Sequence, residues 1–246
     1  MKILKTFLKV AILLGAAAYF IFALTTFNRG EEGQVCSGLD IIVNDPAHTN
    51  FINENEVREL LVAHKLFPEG KALQDVDLTQ LESVLTASPY IDEALCYKTA
   101  NGRLTLQVTP RIPVFHVLNN AGEDFYIDHR GGTMPRGHHK IDLIVMTGDV
   151  NKATAGPLYA PMGIALGKDS FWNKQIQEIH VNQDGELEIT PRIGNHTILL
   201  GDTSCLTDKL HRMRIFYTEG LDKAGWNRYK TINLKFNNQV ICTRAD

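Results

Sequence analysis

The N-terminal segment constrains this chain more than any other part of the sequence. Three lysines, Lys2, Lys5 and Lys9, precede a largely apolar run over residues 10–27, and no acidic residue appears before Glu31. A helix of about 18 residues is roughly 27 Å long, close to the roughly 30 Å thickness of a bilayer's hydrocarbon core. Because basic flanks stay on the cytoplasmic side, the sequence predicts one transmembrane helix, with the remainder of the chain exported.

A cleavable signal peptide is the alternative interpretation of this segment. The small residues at 16–18 are compatible with cleavage, as is a cut after Ala23 or Thr25. Cleavage at the alanines would leave the bulky apolar residues 19–22 as the new N-terminus, after only a short apolar region, which favours the uncleaved anchor. Cys36 follows a polar stretch instead of the apolar run, so we do not expect a lipid-modified N-terminal cysteine.

Composition excludes several classes of protein. The formal net charge is −3 and no basic stripe interrupts the chain, so nucleic-acid binding is not expected. Cys36, Cys96, Cys205 and Cys242 lie far apart without a C-x-x-C motif, which argues against a zinc site or a thioredoxin-type centre. In an oxidising compartment they could pair in three ways, although their apolar neighbours favour buried thiols.

Residues 39–109 carry the pattern of a small β-α-α-β-β unit. Leu39–Val43 is typical of a strand, and Asn53 followed by Glu56 has the spacing of a capping box at the start of a helix. Asp77 begins a second helix in the same way. Two helices can cover one face of a three-stranded sheet, which is enough to bury a small core.

The last part of this unit has the alternating apolar and polar residues of a β-hairpin. Ile91–Tyr97 and Leu104–Val108 are predicted strands, and Asn101-Gly102 between them is the pair that supplies positive φ at both centres of a type I′ turn. Pro110 and Pro113 then discourage continuation of the ladder and mark a domain boundary.

Strands dominate the remainder of the chain. The predicted strands are Val114–Leu118, Asp124–Ile127, Ile141–Met146, Ile176–Val181, Leu187–Thr190, Thr197–Leu200, Lys230–Phe236 and Gln239–Thr243. A helix is predicted from Thr203 to Gly220, where apolar residues recur every three or four positions. A second, over Ala160–Trp172, is interrupted by proline and glycine.

No catalytic residue, metal ligand or cofactor site is predicted. The hydrolase signatures G-x-S-x-G, S-x-x-K and H-E-x-x-H are all missing from the sequence. His138-His139, with His116 and His129, resembles a metal cluster, but adjacent residues of a strand point to opposite faces, and a solvated loop is the simpler explanation. Asp124 and Asp128 would share one side of a strand as an acid–base pair, and turn-flanking solubility residues are the alternative.

These features, in this order, resemble the FtsQ/DivIB family of bacterial cell-division proteins. The anchor, the stalk and the β-α-α-β-β unit look like the family's membrane-proximal half, which contains a POTRA domain. The stretches that are similar to family motifs are Ser88–Ile91, Val108–Pro113, Phe125–Asp128 before Gly132, Ile176–Gly185, Leu199–Asp202, the helix around Lys209-Leu210, Ile232–Phe236 and Gln239-Val240.

The resemblance implies an α+β fold with a single N-terminal transmembrane helix. A small POTRA-like domain would be followed by a larger, mostly antiparallel β domain of the FtsQ type with one or two helices. The implied segments are a cytoplasmic tail over 1–9, a transmembrane helix over 10–27, a stalk over 28–38, a POTRA-like domain over 39–109 and a β domain over 110–246. Such a protein would lie in the bacterial inner membrane at the division septum, with its body extracytoplasmic.

The resemblance also implies a non-catalytic role. Members of the family are scaffolds that hold FtsL and FtsB and help to regulate septal peptidoglycan synthesis. The binding mode is similar to strand addition, in which a partner segment pairs with the exposed edge of the last strand, here within Thr231–Thr243. The implied partner-binding residues are Lys235, Phe236, Asn237, Asn238, Gln239, Val240 and Ile241. The alternative is that Phe236 faces the core and Asn237-Asn238 is only a hairpin turn.

Other functions remain open at this point. An envelope hydrolase could use Asp128 and His129 in an unfamiliar site. A POTRA-bearing protein of outer-membrane assembly is a third reading, but it would normally bring serial POTRA repeats or a long alternating barrel region. By family analogy alone, the edge formed by Leu39–Val43 could dock other division proteins.

Overall fold

The computed structural model describes residues 12–23, 33–45, 51–137 and 141–245. Residues 12–23 are helical and are labelled α1. In these described ranges, no helix is both long enough and apolar enough to cross a membrane. The span predicted over residues 10–27 extends beyond the described residues at both ends, and the tail over residues 1–9 lies wholly outside them.

The chain divides into two compact units. Unit 1 comprises Met1–Pro46 and Ile52–Pro110, and unit 2 comprises Ala47–Phe51 and Arg111–Asp246. Each unit has its own cluster of buried apolar side chains.

Unit 1 has the predicted β-α-α-β-β order. Its elements are β1 (Leu39–Val43), α2 (Glu54–Ala63), a 3₁₀ turn (Leu73–Asp75), α3 (Leu78–Thr86), β2 (Ile91–Lys98) and β3 (Leu104–Pro110). The sheet order is β1-β3-β2, with β1 parallel and β2 antiparallel to β3. Leu61 of α2, Leu81 and Leu85 of α3, and Leu106 of β3 are buried together in one core.

The predicted helix starts in unit 1 are confirmed by their capping contacts. The Asn53 side chain accepts the N–H groups of Asn55 and Glu56 at 2.9 and 3.1 Å, while the Glu56 carboxylate accepts the Asn53 N–H at 2.8 Å. Asp77 caps α3 by accepting the Gln80 N–H at 3.0 Å. These contacts satisfy backbone donors that a helix end otherwise leaves unpaired.

The type I′ turn predicted at Asn101-Gly102 is wrong. Gly102 has φ of 73°, but Asn101 does not have a positive φ. The Gly102 N–H donates to Thr99 O at 3.1 Å, and the Thr99 N–H donates to Arg103 O at 2.9 Å. The loop is therefore longer than two residues, and a single left-handed glycine at its end is sufficient to reverse the chain.

Unit 2 is built on one nine-stranded sheet. Its strands are β4 (Pro113–Asn119), β5 (Asp124–Asp128), β6 (Thr133–Pro135), β7 (Val145–Gly148), β8 (Ile176–Val181), β9 (Leu187–Pro191), β10 (Thr197–Gly201), β11 (Tyr229–Asn233) and β12 (Ile241–Arg244). Their order is β12-β11-β10-β9-β8-β7-β4-β5-β6. The β4–β7, β7–β8 and β10–β11 pairs are parallel and the other five are antiparallel, so the sheet is mostly antiparallel, as predicted.

The prediction of one or two helices in unit 2 is too low. The described helices are α4 (Lys152–Lys168), α5 (Ser170–Gln175), α6 (Leu206–Ile215), a π-helical turn (Phe216–Leu221) and α7 (Asp222–Ala224). Pro157 and Pro161 lie inside α4, which is why the sequence pattern weakened there. Two prolines do not prevent this helix, because its packing against the sheet compensates.

Glycine allows α4 to approach the sheet closely. A Cβ atom on Gly156 would lie 1.9 Å from the Gly131 carbonyl oxygen, and one on Gly163 would lie 2.8 Å from the side chains of Val114 and Phe115. The helices share one core with the inward side chains of the strands, including Val117. They therefore cover one face of the sheet.

Candidate functional site

Strand β12 forms one edge of the nine-stranded sheet. It pairs antiparallel with β11, with Ile241 opposite Asn233 and Thr243 opposite Thr231, and β11 is its one neighbour among the described residues. An edge strand presents a row of unpaired N–H and C=O groups on its open side. This is the surface that strand addition requires.

The backbone groups on the open side can be assigned by alternation. The Ala245 N–H donates to Arg228 O at 3.0 Å, so the backbone of residue 245 points toward β11. Backbone polar groups of alternate residues point to the same side of a strand. The N–H and C=O groups of Arg244 and Cys242 therefore point away from β11, toward solvent.

The seven residues named by the resemblance lie mostly outside a strand. Ile241 begins β12, whereas residues 235–240 belong to the connection that links β11 to β12. The predicted strand ends at Phe236 and Gln239 are thus wrong. The Asn233 side chain accepts the Lys235 N–H at 2.9 Å, a local contact that turns the backbone out of the ladder.

The exposed apolar side chains of this region are Phe236 and Ile241. Phe236 is 53% exposed and Ile241 is 45% exposed, so the alternative that Phe236 faces the core is wrong. Asn237-Asn238 does form a turn, and Asn238 adopts φ of 59°, which asparagine tolerates better than most residues. Val240 packs against the core.

The basic residue implied by the resemblance already has an acidic partner. The Lys235 ammonium group forms an ion pair with the Glu186 carboxylate in the loop between β8 and β9. The lysine stem lies over Gly201. Both charged groups are partly exposed, so the pair contributes little to stability, but it neutralises the charge that a partner would meet.

Arg212 is the residue of this region that the sequence analysis missed. Its guanidinium group donates to Phe236 O at 2.8 Å, to Leu234 O at 3.4 Å and to Gln239 O. Its Nε donates to the Asp208 carboxylate one turn earlier in α6, at 3.0 Å. Arg212 lies within the helix predicted from Thr203 to Gly220, but nothing in the sequence links it to carbonyl groups more than 20 residues away.

The start of α6 is fixed by a second contact. Lys209 is 4% exposed, and its ammonium group donates to the Asp202 backbone oxygen and to the Asp202 carboxylate, both at 2.9 Å. Hydrogen bonds from the Ser204 hydroxyl and from Lys209 lower the pKa of Asp202 to about 2. This contact holds α6, and Arg212 with it, against the end of β10.

The carboxylates considered for acid–base chemistry have separate structural partners. Asp128 is buried and accepts hydrogen bonds from Arg111 and from the N–H groups of Arg130 and Gly132, at 2.7 to 2.9 Å. Its oxygens are therefore engaged in holding the β5–β6 turn. A hydrolytic role for Asp128 would compete with these contacts.

Asp124 is held by a different pair of side chains. Its carboxylate is 2.7 Å from His116 Nε2 and 2.5 Å from Arg136. Burial acts to raise the pKa of Asp124, but these two hydrogen bonds outweigh it and keep the pKa below its ordinary value. In the part of the chain that the structure describes, no group of three or more His, Cys, Asp or Glu residues is arranged to hold a metal ion. His138-His139 lies outside that part.

The cysteines do not form disulfides in the described structure. Cys36 and Cys96 are buried in unit 1, Cys242 is half-buried in β12, and Cys205 is exposed. The expectation of buried thiols is thus wrong for Cys205, which precedes α6 with φ of 50°. Burial raises the pKa of Cys96 to about 12, so this thiol is not a nucleophile near neutral pH.

Comparison with known proteins identifies both units. Residues 34–109 match a POTRA-like domain, and residues 112–243 match the family described as FtsQ/DivIB, C-terminal related. None of the curated proteins matches the chain. Since the second of these matches covers more than half of the 246 residues, the chain belongs to the FtsQ/DivIB family, a family of non-enzymatic cell-division scaffolds.

Proposed function

We propose that this protein is a bitopic inner-membrane scaffold of the division septum that binds FtsL- and FtsB-type proteins at the β12 edge. Its N-terminal helix spans the membrane with the N-terminus in the cytoplasm, and the chain that follows this helix is extracytoplasmic. Through its partners, the protein assembles or regulates septal peptidoglycan synthesis. The observation that carries this proposal is the position of β12, the last strand of the chain, at an open edge beside exposed Phe236.

Backbone pairing alone is too weak to explain a stable complex. The outward groups of Cys242 and Arg244 allow about four hydrogen bonds, each with a net contribution of about 0.5–1.5 kcal/mol. Association costs roughly 4 kcal/mol or more, and a micromolar complex requires about 8 kcal/mol of net binding free energy. Side-chain burial must supply the difference, and Phe236 and Ile241 are the exposed apolar side chains beside the edge.

The β12 edge and its exposed side chains therefore determine what kind of segment the partner contributes. That segment is an extended strand with one or two apolar side chains that cover Phe236 and Ile241. Aromatic residues dominate the energetics of protein interfaces because they bury a large area with few rotatable bonds. Lys235 contributes less in this arrangement, since Glu186 already neutralises it.

Membrane anchoring is supported by the sequence of residues 1–31. The three lysines lie on one side of the apolar run and the acidic residues lie beyond it, which is the charge asymmetry that retains an N-terminus in the cytoplasm. Alkaline extraction of membranes, combined with the mass of the mature N-terminus, tests this point. A protein that is released by carbonate, or that starts after residue 16, would contradict it.

The substitution Phe236→Ala tests the partner-binding role. We expect it to weaken binding by about 1–3 kcal/mol, the range of an interface anchor, because the large apolar surface of the ring is lost. The measurement is co-purification and titration of the full-length protein with co-produced FtsL- and FtsB-type partners. Leu158→Ala is the matched control, since Leu158 is an equally exposed apolar residue on α4. If Phe236→Ala retained its partners at the wild-type level, the proposal would be contradicted.

A further inference from the structure

We infer that Arg212 is a positioning residue that fixes the β11–β12 connection in the shape that a partner strand meets. This inference rests on the proposed function and adds a residue outside the edge itself. Arg212 belongs to α6 and contacts the connection through backbone carbonyl groups only. Its hydrogen bonds therefore act on Phe236 through the main chain.

The guanidinium group is almost fully used. Nη1 donates to Phe236 O and Gln239 O, Nη2 donates to Leu234 O, and Nε donates to Asp208. These contacts occupy four of about five N–H donors that arginine offers. The Arg212 side chain is only 12% exposed, so the donors are directed into the connection instead of into solvent.

The three carbonyl groups lie on both sides of the exposed ring. Leu234 is buried and precedes it, while Gln239 follows the turn that contains Asn238. Residues 235–239 are all exposed, so the connection has little apolar contact of its own to hold it. A segment with few buried contacts samples many conformations unless hydrogen bonds restrain it.

Restraint of this kind favours binding because a partner does not have to order the segment. Each residue that is fixed on binding costs conformational entropy, and a connection that is already fixed avoids this cost. Global stability depends on the contact much less, because two of the three carbonyl groups, those of Phe236 and Gln239, belong to exposed residues and can be hydrated when Arg212 is replaced. The two effects can be separated experimentally.

Lysine cannot reproduce the contact. Its three N–H donors diverge from a single nitrogen, whereas the guanidinium plane presents donors at three nitrogens to separated acceptors. Arg212→Lys keeps the positive charge and most of the aliphatic stem, so it tests hydrogen-bond geometry and not charge. Arg214→Lys is the matched control, since Arg214 lies two residues along α6 and binds Asp169 at 2.5 Å, away from the connection.

The test uses the full-length protein with its co-produced partners. For Arg212→Lys we expect faster amide exchange over residues 235–241, an unchanged melting temperature within about 2 °C, and partner binding weakened about tenfold. Arg214→Lys should leave both the exchange of this segment and the affinity at the wild-type level. Equal affinity of Arg212→Lys and wild type would overturn the inference.

A double substitution shows whether Arg212 acts through Phe236. In the Phe236→Ala background, Arg212→Lys should weaken binding by less than about twofold, because the positioned ring is already gone. Full additivity of the two effects would overturn the inference while leaving the proposed function intact. If the wild-type protein binds no FtsL- or FtsB-type partner, the proposed function fails, and this inference fails with it.

Discussion

The two edges of the nine-stranded sheet differ in ways that decide whether a foreign strand can add to them. Strand β6 is three residues long and ends in Pro135, which has no N–H group to donate. Strand β12 is four residues long, contains no proline, begins with the exposed Ile241 and lies beside Phe236. Short strands and prolines are the usual protection of an exposed sheet edge.

The side chains next to the two edges also differ in how well they suit an added strand. Beside β6, Arg136 is paired with Asp124 and Met134 is buried, and none of the described residues at that edge is an exposed large apolar side chain. Beside β12, the ion pair of Lys235 is accompanied by two exposed apolar side chains. The C-terminal edge therefore combines open backbone groups with exposed apolar side chains, the two features that the proposed strand addition requires.

Arg244→Pro should abolish the difference between the edges. The proline removes an outward N–H group of β12 while leaving the β11 side of the ladder unaltered, because residue 244 points away from β11. We expect partner binding to weaken by about 2–3 kcal/mol, since one hydrogen bond is lost and one partner carbonyl is left unpaired. Titration of the purified complex measures this loss.

Thr243→Pro is the contrasting variant. The backbone of Thr243 points toward β11, so its replacement breaks the ladder within the protein and should lower the melting temperature. Arg244→Pro should leave the melting temperature near that of the wild type. Equal partner binding by Arg244→Pro and wild type would exclude strand addition at β12.

The contribution of Ile241 should be smaller. Its side chain is less exposed than that of Phe236, and Ile241→Ala removes fewer atoms from an interface. We expect binding to weaken by about 1 kcal/mol, from the loss of buried apolar area. Leu118→Ala is the matched control, because Leu118 is an exposed aliphatic residue on β4, in the interior of the sheet. An equal effect of the two substitutions would show that β12 is not the docking edge.

Local sequence patterns predicted most elements of the fold. Strands β1 and β8 were predicted with the bounds that the structure shows, and the N-cap residues Asn53 and Asp77 located the helices of unit 1. These features depend on neighbouring residues, whose side chains and backbone decide the local structure. The parallel pairs of unit 2, such as β10 with β11, were not predicted, because they join segments that are distant in the chain.

The errors near the candidate site have a clear physical cause. Ile232, Leu234 and Phe236 alternate in the sequence, a pattern that agrees with the predicted strand Lys230–Phe236 and with the alternative that Phe236 faces the core. The structure buries the first two and exposes Phe236, because the chain turns after Asn233. Alternation reports which residues are apolar, but it does not report where a side-chain hydrogen bond ends the strand.

The site was predicted only in part, for a related reason. Phe236 and Ile241 came from the resemblance to a family, and their exposure agrees with a surface role without testing it. Arg212 could not be found in this way, because its three acceptors are carbonyl groups, which every residue carries. A backbone contact leaves no residue-type signature in a single sequence.

The smallest expected effect concerns the acid stability of the helix that carries Arg212. The pKa of Asp202 is lowered to about 2 from an ordinary value of 3.8, so its contact with Ser204 and Lys209 adds stability that is fully present above about pH 4 and is lost as pH falls toward 2. Asp202→Asn lacks this charge at every pH. Its melting temperature should lie below that of the wild type at pH 6, and the difference should shrink as pH falls toward 2.

Thermal unfolding of the two proteins between pH 6 and pH 2 measures this effect. Asp124→Asn provides the comparison. In the wild type, the Asp124 carboxylate lies beside the β6 edge and also has a pKa below its ordinary value, but it contacts neither α6 nor the β11–β12 connection. If α6 positions the connection, acid should lower the amide protection factors of residues 235–241 in the wild type, taken relative to the intrinsic exchange rate at each pH, and Asp202→Asn should already show reduced protection at pH 6. Asp124→Asn should not. Equal amide exchange over residues 235–241 in all three proteins at pH 6 would show that the stability of α6 does not determine the shape of the β12 edge.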